Sequence, residues 1–208
     1  MIRLGGLFPD HLNLNGDIGN LEVLSKQLSW RGIENEITAI QSTHDLDQEL
    51  NFILIGHGSV AAWQDVDETF SAMLPQIGVL KEKGVPCLSV SSGFERLAKS
   101  SIFTGLDTGN RAERVSKFEV LRDGDAEVLG YLNTDLNLPT LHRDGQWIGT
   151  MLHGPVLAKN PELLDELLAS ICASATLAMP PLALKEKADQ LAGLVQEIWN
   201  LERDLAGE

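Results

Sequence analysis

The stretch Gly84-Val85-Pro86-Cys87-Leu88-Ser89-Val90-Ser91-Ser92-Gly93-Phe94-Glu95-Arg96-Leu97-Ala98 decides how the chain is read. Cys87 to Val90 is a short apolar run of the kind that forms a buried strand, Ser91 and Ser92 permit a very tight turn, and a helix is expected from about Gly93. A strand that passes through small residues straight into a helix is the nucleophile-elbow pattern. It holds one side chain on a strained turn while the N–H groups of the helix N-terminus point at it. The side chain so held is Ser91. Small residues also suit an ordinary strand-to-helix turn with no chemistry in it, so the elbow by itself leaves both readings open.

Outward from the elbow, the chain alternates. Before it, Phe52-Ile53-Leu54-Ile55 breaks into Gly56-His57-Gly58-Ser59, which reads as a central parallel strand opening onto a loop, and Val66 to Lys83 reads as a helix. Earlier still, Ile2 to Pro9 is a first strand running into a polar loop. Leu21 to Arg31 has helical spacing, with Asn20 as N-cap and Gly32 as stop, and Glu34 to Ile40 is a second strand. Strands alternating with helices predict a doubly wound α/β sheet, with ligands beyond the carboxyl ends of its strands. Gly56 to Ser59 and Ser91 to Gly93 should therefore share one crevice.

After Phe103 the segments shorten. Arg114 to Arg122, Ala126 to Asn133 and Gln146 to Leu152, separated by Asp123-Gly124-Asp125 and Asp144-Gly145, read as antiparallel strands with hairpin turns. The last runs into His153-Gly154-Pro155, a histidine at a strand end. Pro161 to about Leu177 is a helix, Pro180-Pro181 a break, and Leu182 to Leu205 a final amphipathic helix. Residues 1–178 are taken as one domain and 179–208 as a C-terminal helix packed on it. The helix's apolar stripe, which includes Leu184, Leu191, Val195 and Ile198, also suits a docking surface.

Composition narrows the partners. The chain has 208 residues, 43% hydrophobic and 22% charged, with a net charge of −14. That charge repels nucleic-acid phosphates and anionic membranes, so neither is expected as a partner. Cys87 and Cys172 lack metal-ligand spacing and read as core residues, and nothing calls for a metal or a cofactor. No basic leader precedes an apolar run, and no apolar segment reaches membrane-spanning length, so a cytoplasmic location is expected.

Several short strings now carry a resemblance. They are Phe8-Pro9-Asp10 with Asn15-Gly16-Asp17-Ile18-Gly19-Asn20, then Trp30-Arg31-Gly32-Ile33, Gly56-His57-Gly58 and the elbow. Gly149-Thr150-Met151-Leu152-His153-Gly154-Pro155 and Lys159-Asn160-Pro161 complete the set. In order and spacing they resemble a class I glutamine amidotransferase of the cobyric acid synthase type, and within it the GatD-like members, over nearly all of positions 1–170. The resemblance implies a mostly parallel α/β sheet with an antiparallel extension. It also implies release of ammonia from glutamine for a MurT-like synthase of the Mur ligase family, in cell-wall precursor amidation.

By position, the resemblance puts Ser91 in the nucleophile's place and makes His153 the base, with the backbone N–H groups of Gly58 and Ser92 as oxyanion donors. Arg114 is the candidate for gripping the substrate α-carboxylate, with Arg111 as its competitor and a solvated strand residue as the plain alternative. His57 reads as a loop residue, and Asp17 with Asn20 as organisers of an N-terminal loop and helix cap. His11, His44 and His142 have no supporting pattern.

One departure governs the chemistry. The family's nucleophile is cysteine, whereas a serine hydroxyl must lose its proton during attack and depends on a well-oriented base. The familiar glutamate two positions beyond the histidine is Pro155 here, an absence that GatD-like members share. Three readings follow: a glutaminase with serine put in place of its cysteine, a non-hydrolysing binding subunit on the same fold, and a serine hydrolase using Ser91 and His153.

Overall fold

The computed structural model describes residues 1–124, 126–182 and 185–207; Asp125 of the expected turn and Leu184 of the expected stripe lie outside them. Nine strands and five α-helices are described. They are β1 (Ile2–Leu7), α1 (Gly19–Trp30), β2 (Asn35–Ile40), β3 (Phe52–Ile55), α2 (Val60–Glu82), β4 (Cys87–Val90) and α3 (Ser92–Lys99). Then come β5 (Asn110–Asp123), β6 (Ala126–Leu136), β7 (Leu141–Asp144), β8 (Trp147–Thr150), β9 (Leu152–His153), α4 (Pro161–Ser174) and α5 (Lys185–Ala206).

The main sheet has the order β2-β1-β3-β4-β8-β7, and β5-β6-β9 form a second, antiparallel sheet. In the main sheet β2, β1, β3, β4 and β8 run parallel and only β7, at the edge, is antiparallel. The central strands β3, β4 and β8 are buried throughout, which is why they read as unbroken apolar or small-residue runs rather than as alternating ones. Phe94 of α3 lies against β8 so closely that any side chain at Gly149 would overlap its ring.

Three expectations need correcting. Trp147–Thr150 is not a strand of the antiparallel extension: its hairpin through Asp144 and Gly145 joins β7, but its other edge pairs in parallel with β4, from Cys87↔Trp147 to Val90↔Thr150. Helix α2 begins at Val60, earlier than expected, because Ser59 caps it by accepting the Ala62 N–H at 3.1 Å. Asn20 is not a cap, since it lies inside α1 and is buried. Its Nδ2 donates to Asp17 O and Gly154 O, and its Oδ1 accepts the Leu157 N–H at 3.0 Å. It therefore ties the start of α1 to the segment that follows His153.

The C-terminal helix rests on the body through a few polar contacts. Trp199 Nε1 donates to Lys159 O at 2.5 Å, Lys159 Nζ pairs with Glu202 at 2.7 Å, and Arg203 pairs with Glu127. Leu194, Ile198, Leu201 and Leu205 remain exposed. A cleft of about 940 Å³ separates α5 from α1 and α4. No described helix is long and apolar enough to cross a membrane.

Candidate active site

Ser91 stands at the end of β4 with φ +50° and ψ −111°, a conformation that costs a non-glycine residue about 1–3 kcal/mol and persists only where its surroundings enforce it. The enforcement is visible on both sides. The Ser91 N–H donates to Thr150 O of β8 at 2.7 Å, and the Ser91 carbonyl accepts the Glu95 N–H at 2.9 Å in the first turn of α3. Gly93 lets α3 press on the end of β3, because a Cβ there would sit 2.5 Å from Ile55 O and 2.7 Å from Gly56 O. The turn is thus clamped between two strand ends.

His153 reaches the same place from the second sheet. Its strand pairs with β6 in the register Tyr131↔His153, and its Nε2 lies 3.5 Å from Ser91 Oγ and 3.1 Å from the Asn133 carbonyl oxygen. The first distance is long for a hydrogen bond, as nucleophile–base distances often are before substrate tightens them. Its Nδ1 lies 2.6 Å from Asn15 Nδ2. Burial lowers the His153 pKa, the Asn133 carbonyl raises it and the Arg114 charge lowers it, with a net depression. A neutral imidazole at neutral pH is the form a general base requires.

The glycine loop closes over the elbow. Ser92 Oγ accepts the Gly58 N–H at 3.0 Å and the Trp63 Nε1–H at 2.8 Å, with His57 Nδ1 at 3.0 Å and Gly58 O at 3.1 Å as partners for its own proton. One hydroxyl has one proton and two lone pairs, so this one is saturated. The Ser92 N–H points at His57 Nδ1 at 3.4 Å. The two expected oxyanion donors are therefore both turned to groups of the protein itself. His57 meets the His153 ring edge-on at 4.9 Å, and burial, aided by the proximity of His153, takes its pKa down to about 4.

The two arginines differ. Arg111 is spent on backbone, with Nε donating to Leu136 O at 2.5 Å and an Nη to Leu138 O at 3.4 Å. Arg114 is exposed and donates through Nε to Asn133 Oδ1 at 2.8 Å. Its guanidinium fork is left beside His153, with neither Nη hydrogen-bonded to another of the described residues.

Asp17 is fully buried, and its carboxylate accepts the His57 N–H at 3.3 Å. Desolvation raises its pKa to about 6, against backbone hydrogen bonds from His57, Asn15 and Asp17 itself. It so joins the Asn15 loop to the glycine loop. His142 lies away from this site, against Phe94 and Phe103. Among the described residues no group of three or more His, Cys, Asp or Glu side chains is placed to hold a metal ion. Cys87 and Cys172 are buried free thiols whose pKa values burial raises.

A mostly parallel sheet that carries the elbow, with an antiparallel extension that brings a histidine beside it, is a fold of the class I glutamine amidotransferase type. A glutamine amidotransferase from Thermotoga maritima superposes with a TM-score of 0.51 at 14% identity, covering 99% of this chain and 94% of that one. A Thermoplasma acidophilum protein provisionally described as part of a GMP synthase gives 0.51 at 16% identity over 85% and 95%. No family model matches the chain. In sequence the chain is similar to GatD, a subunit of the glutamine-hydrolysing lipid II isoglutaminyl synthase from Staphylococcus aureus strain N315. The two are 26% identical over 214 residues, which span 86% of this chain and 88% of that protein.

Proposed function

We propose that the chain is a GatD-type glutamine amidotransferase subunit, acting in the cytoplasm on glutamine and passing ammonia to a Mur-ligase-like synthase in cell-wall precursor amidation. In this reading Ser91 stands where the family has its cysteine. The observation that carries it is the Ser91 Oγ to His153 Nε2 approach of 3.5 Å on a strained elbow. The similarity to a subunit of a glutamine-hydrolysing synthase supports glutamine as the substrate and a synthase subunit as the partner.

On this reading glutamine is hydrolysed in two stages. Ser91 Oγ attacks the side-chain amide carbon of glutamine as His153 Nε2 takes its proton. The imidazolium then protonates the departing nitrogen, which leaves as ammonia, and water releases glutamate from the ester by the same base. Arg114 grips the α-carboxylate through its free Nη groups, and Gly58 and Ser92 serve the oxyanion after the loop has turned their N–H groups outward. Residues 1–178 are taken as the amidotransferase-like domain and 179–208 as a C-terminal segment whose helix α5 (Lys185–Ala206) is held on it.

A second reading, in which the chain binds glutamine without hydrolysing it, is favoured by one observation: both oxyanion donors are engaged, Gly58 N–H by Ser92 Oγ and Ser92 N–H by His57 Nδ1. Glutamine hydrolysis by the chain and by Ser91→Cys, each with and without a Mur-ligase-like partner, separates the two. Glutaminase activity in Ser91→Cys with the partner supports the first reading; glutamine binding with no hydrolysis in either form supports the second.

A further inference from the structure

Among the described residues no carboxylate is hydrogen-bonded to His153, and yet the far ring nitrogen is not free. Asn15 lies 2.6 Å from His153 Nδ1, at the tip of a loop that is fixed from several sides. The Leu14 N–H donates to His57 O at 3.0 Å, the Gly16 N–H to Asn13 O at 3.1 Å, and the Ile18 N–H to Asn13 Oδ1 at 2.9 Å. The buried Asp17 carboxylate, at the far side of this loop, accepts the His57 N–H at 3.3 Å. The side chain of Asn15 is exposed, so its position beside the ring comes from the loop and not from core packing.

The other ring nitrogen, Nε2, faces two groups with opposite demands. The Asn133 carbonyl at 3.1 Å accepts a proton from Nε2, whereas Ser91 Oγ at 3.5 Å must deliver one to it. Which demand is met depends on where the single proton of the neutral ring sits. An amide nitrogen beside Nδ1 favours the proton on Nε2, turned to Asn133. A half-turn of the exposed carboxamide about its Cβ–Cγ bond puts Oδ1 in the same place, where it accepts the Nδ1 proton and leaves the lone pair on Nε2.

We propose that Asn15 is the positioning residue of this pair: its carboxamide oxygen accepts the His153 Nδ1 proton and leaves Nε2 free to take the proton of Ser91 Oγ. This rests on Ser91 and His153 being nucleophile and base. The proton passes from Oγ to Nε2 as the Oγ–carbon bond forms, and from Nε2 to the departing nitrogen as the carbon–nitrogen bond breaks. Asn15 keeps the ring in plane throughout and exchanges no proton.

Nitrogen-15 spectra of the histidine rings in the intact chain read the tautomer directly, without turnover. At neutral pH the expected result is His153 protonated on Nδ1 in the native chain and in Asn15→Asp, and on Nε2 in Asn15→Leu, where only the Asn133 carbonyl remains to choose. In the Ser91→Cys background with a Mur-ligase-like partner, Asn15→Leu lowers kcat for glutamine at least about tenfold at unchanged KM, and Asn15→Asp restores it. The same tautomer in the native chain and in Asn15→Leu, with both folded by circular dichroism, overturns the assignment, as does an unchanged kcat. The expected tautomers in a chain that hydrolyses no glutamine uphold Asn15 as the group that sets the ring and refute the glutaminase reading alone.

Discussion

The Ser92 hydroxyl lies 3.0 Å from the Gly58 nitrogen and accepts the N–H proposed as an oxyanion donor. It also holds the indole of Trp63, which is buried. The same side chain therefore braces the glycine loop and blocks it.

Replacing Ser92 with glycine separates these effects. In the Ser91→Cys background, Ser92→Gly should raise glutamine hydrolysis by roughly tenfold or more, since one oxyanion donor is worth a few kcal/mol. It should also lower Tm, because Trp63 Nε1 is left as a buried donor without a partner, a loss of about 1–3 kcal/mol. A lower Tm with no gain in rate would show that the loop does not need that N–H.

Restoring the thiol is the larger step. Ser91→Cys should increase glutaminase activity by roughly a hundredfold or more, because a thiolate forms far more readily beside a histidine than an alkoxide does. Steady-state assays with the partner present measure it. No increase would favour the reading in which glutamine is bound but not hydrolysed.

Arg114 offers a test with two readouts. Its charge helps depress the His153 pKa, so Arg114→Gln should let that pKa rise and move the acid limb of the activity profile to higher pH. Loss of the guanidinium fork should also raise KM for glutamine. A shifted acid limb at unchanged KM would remove Arg114 from carboxylate binding while keeping it beside the base.

Asp17 gives a stability test that needs no substrate. Its folded pKa of about 6 exceeds the ordinary 3.8 of an aspartate, so the folded chain holds a proton that the unfolded chain has lost between those values. Its contribution to stability is thus fully present below about pH 4, falls as pH rises to about 6, and stays low above that. The difference corresponds to about 3 kcal/mol. Asp17→Asn should flatten this segment of the pH profile in urea unfolding and be more stable than the native chain at pH 8 by up to that amount. A less stable Asp17→Asn at pH 8 would mean that the charged carboxylate's backbone hydrogen bonds outweigh its desolvation.

The elbow is legible in sequence because its information is local: small residues, a buried strand and a helix start lie within fifteen positions. His153 is reachable because its Leu-His-Gly-Pro context follows a strand. Asn15 is not, since 138 positions separate it from the ring that it meets and an asparagine in a polar loop looks the same with or without a histidine beside it. The place of β8 is hidden for a related reason. Asp144 and Gly145 correctly signal its hairpin with β7, but a parallel neighbour leaves no turn in the sequence to announce it, so nothing local reveals the pairing with Cys87 to Val90. The engaged oxyanion donors depend on where one Ser92 hydroxyl points, which residue type alone does not specify.

The cross-links of Asn20 set an order of assembly. They join α1 to Gly154 and Leu157 across 134 and 137 positions, and contacts of such long span form slowly because a large loop must close before they give any return. During synthesis the elbow can therefore be complete as a strand and helix while its histidine has not yet left the ribosome. A chain stopped before Trp147 would lack Thr150, whose carbonyl accepts the Ser91 N–H, so the strained Ser91 turn is enforced only once the last parallel strand has been laid down.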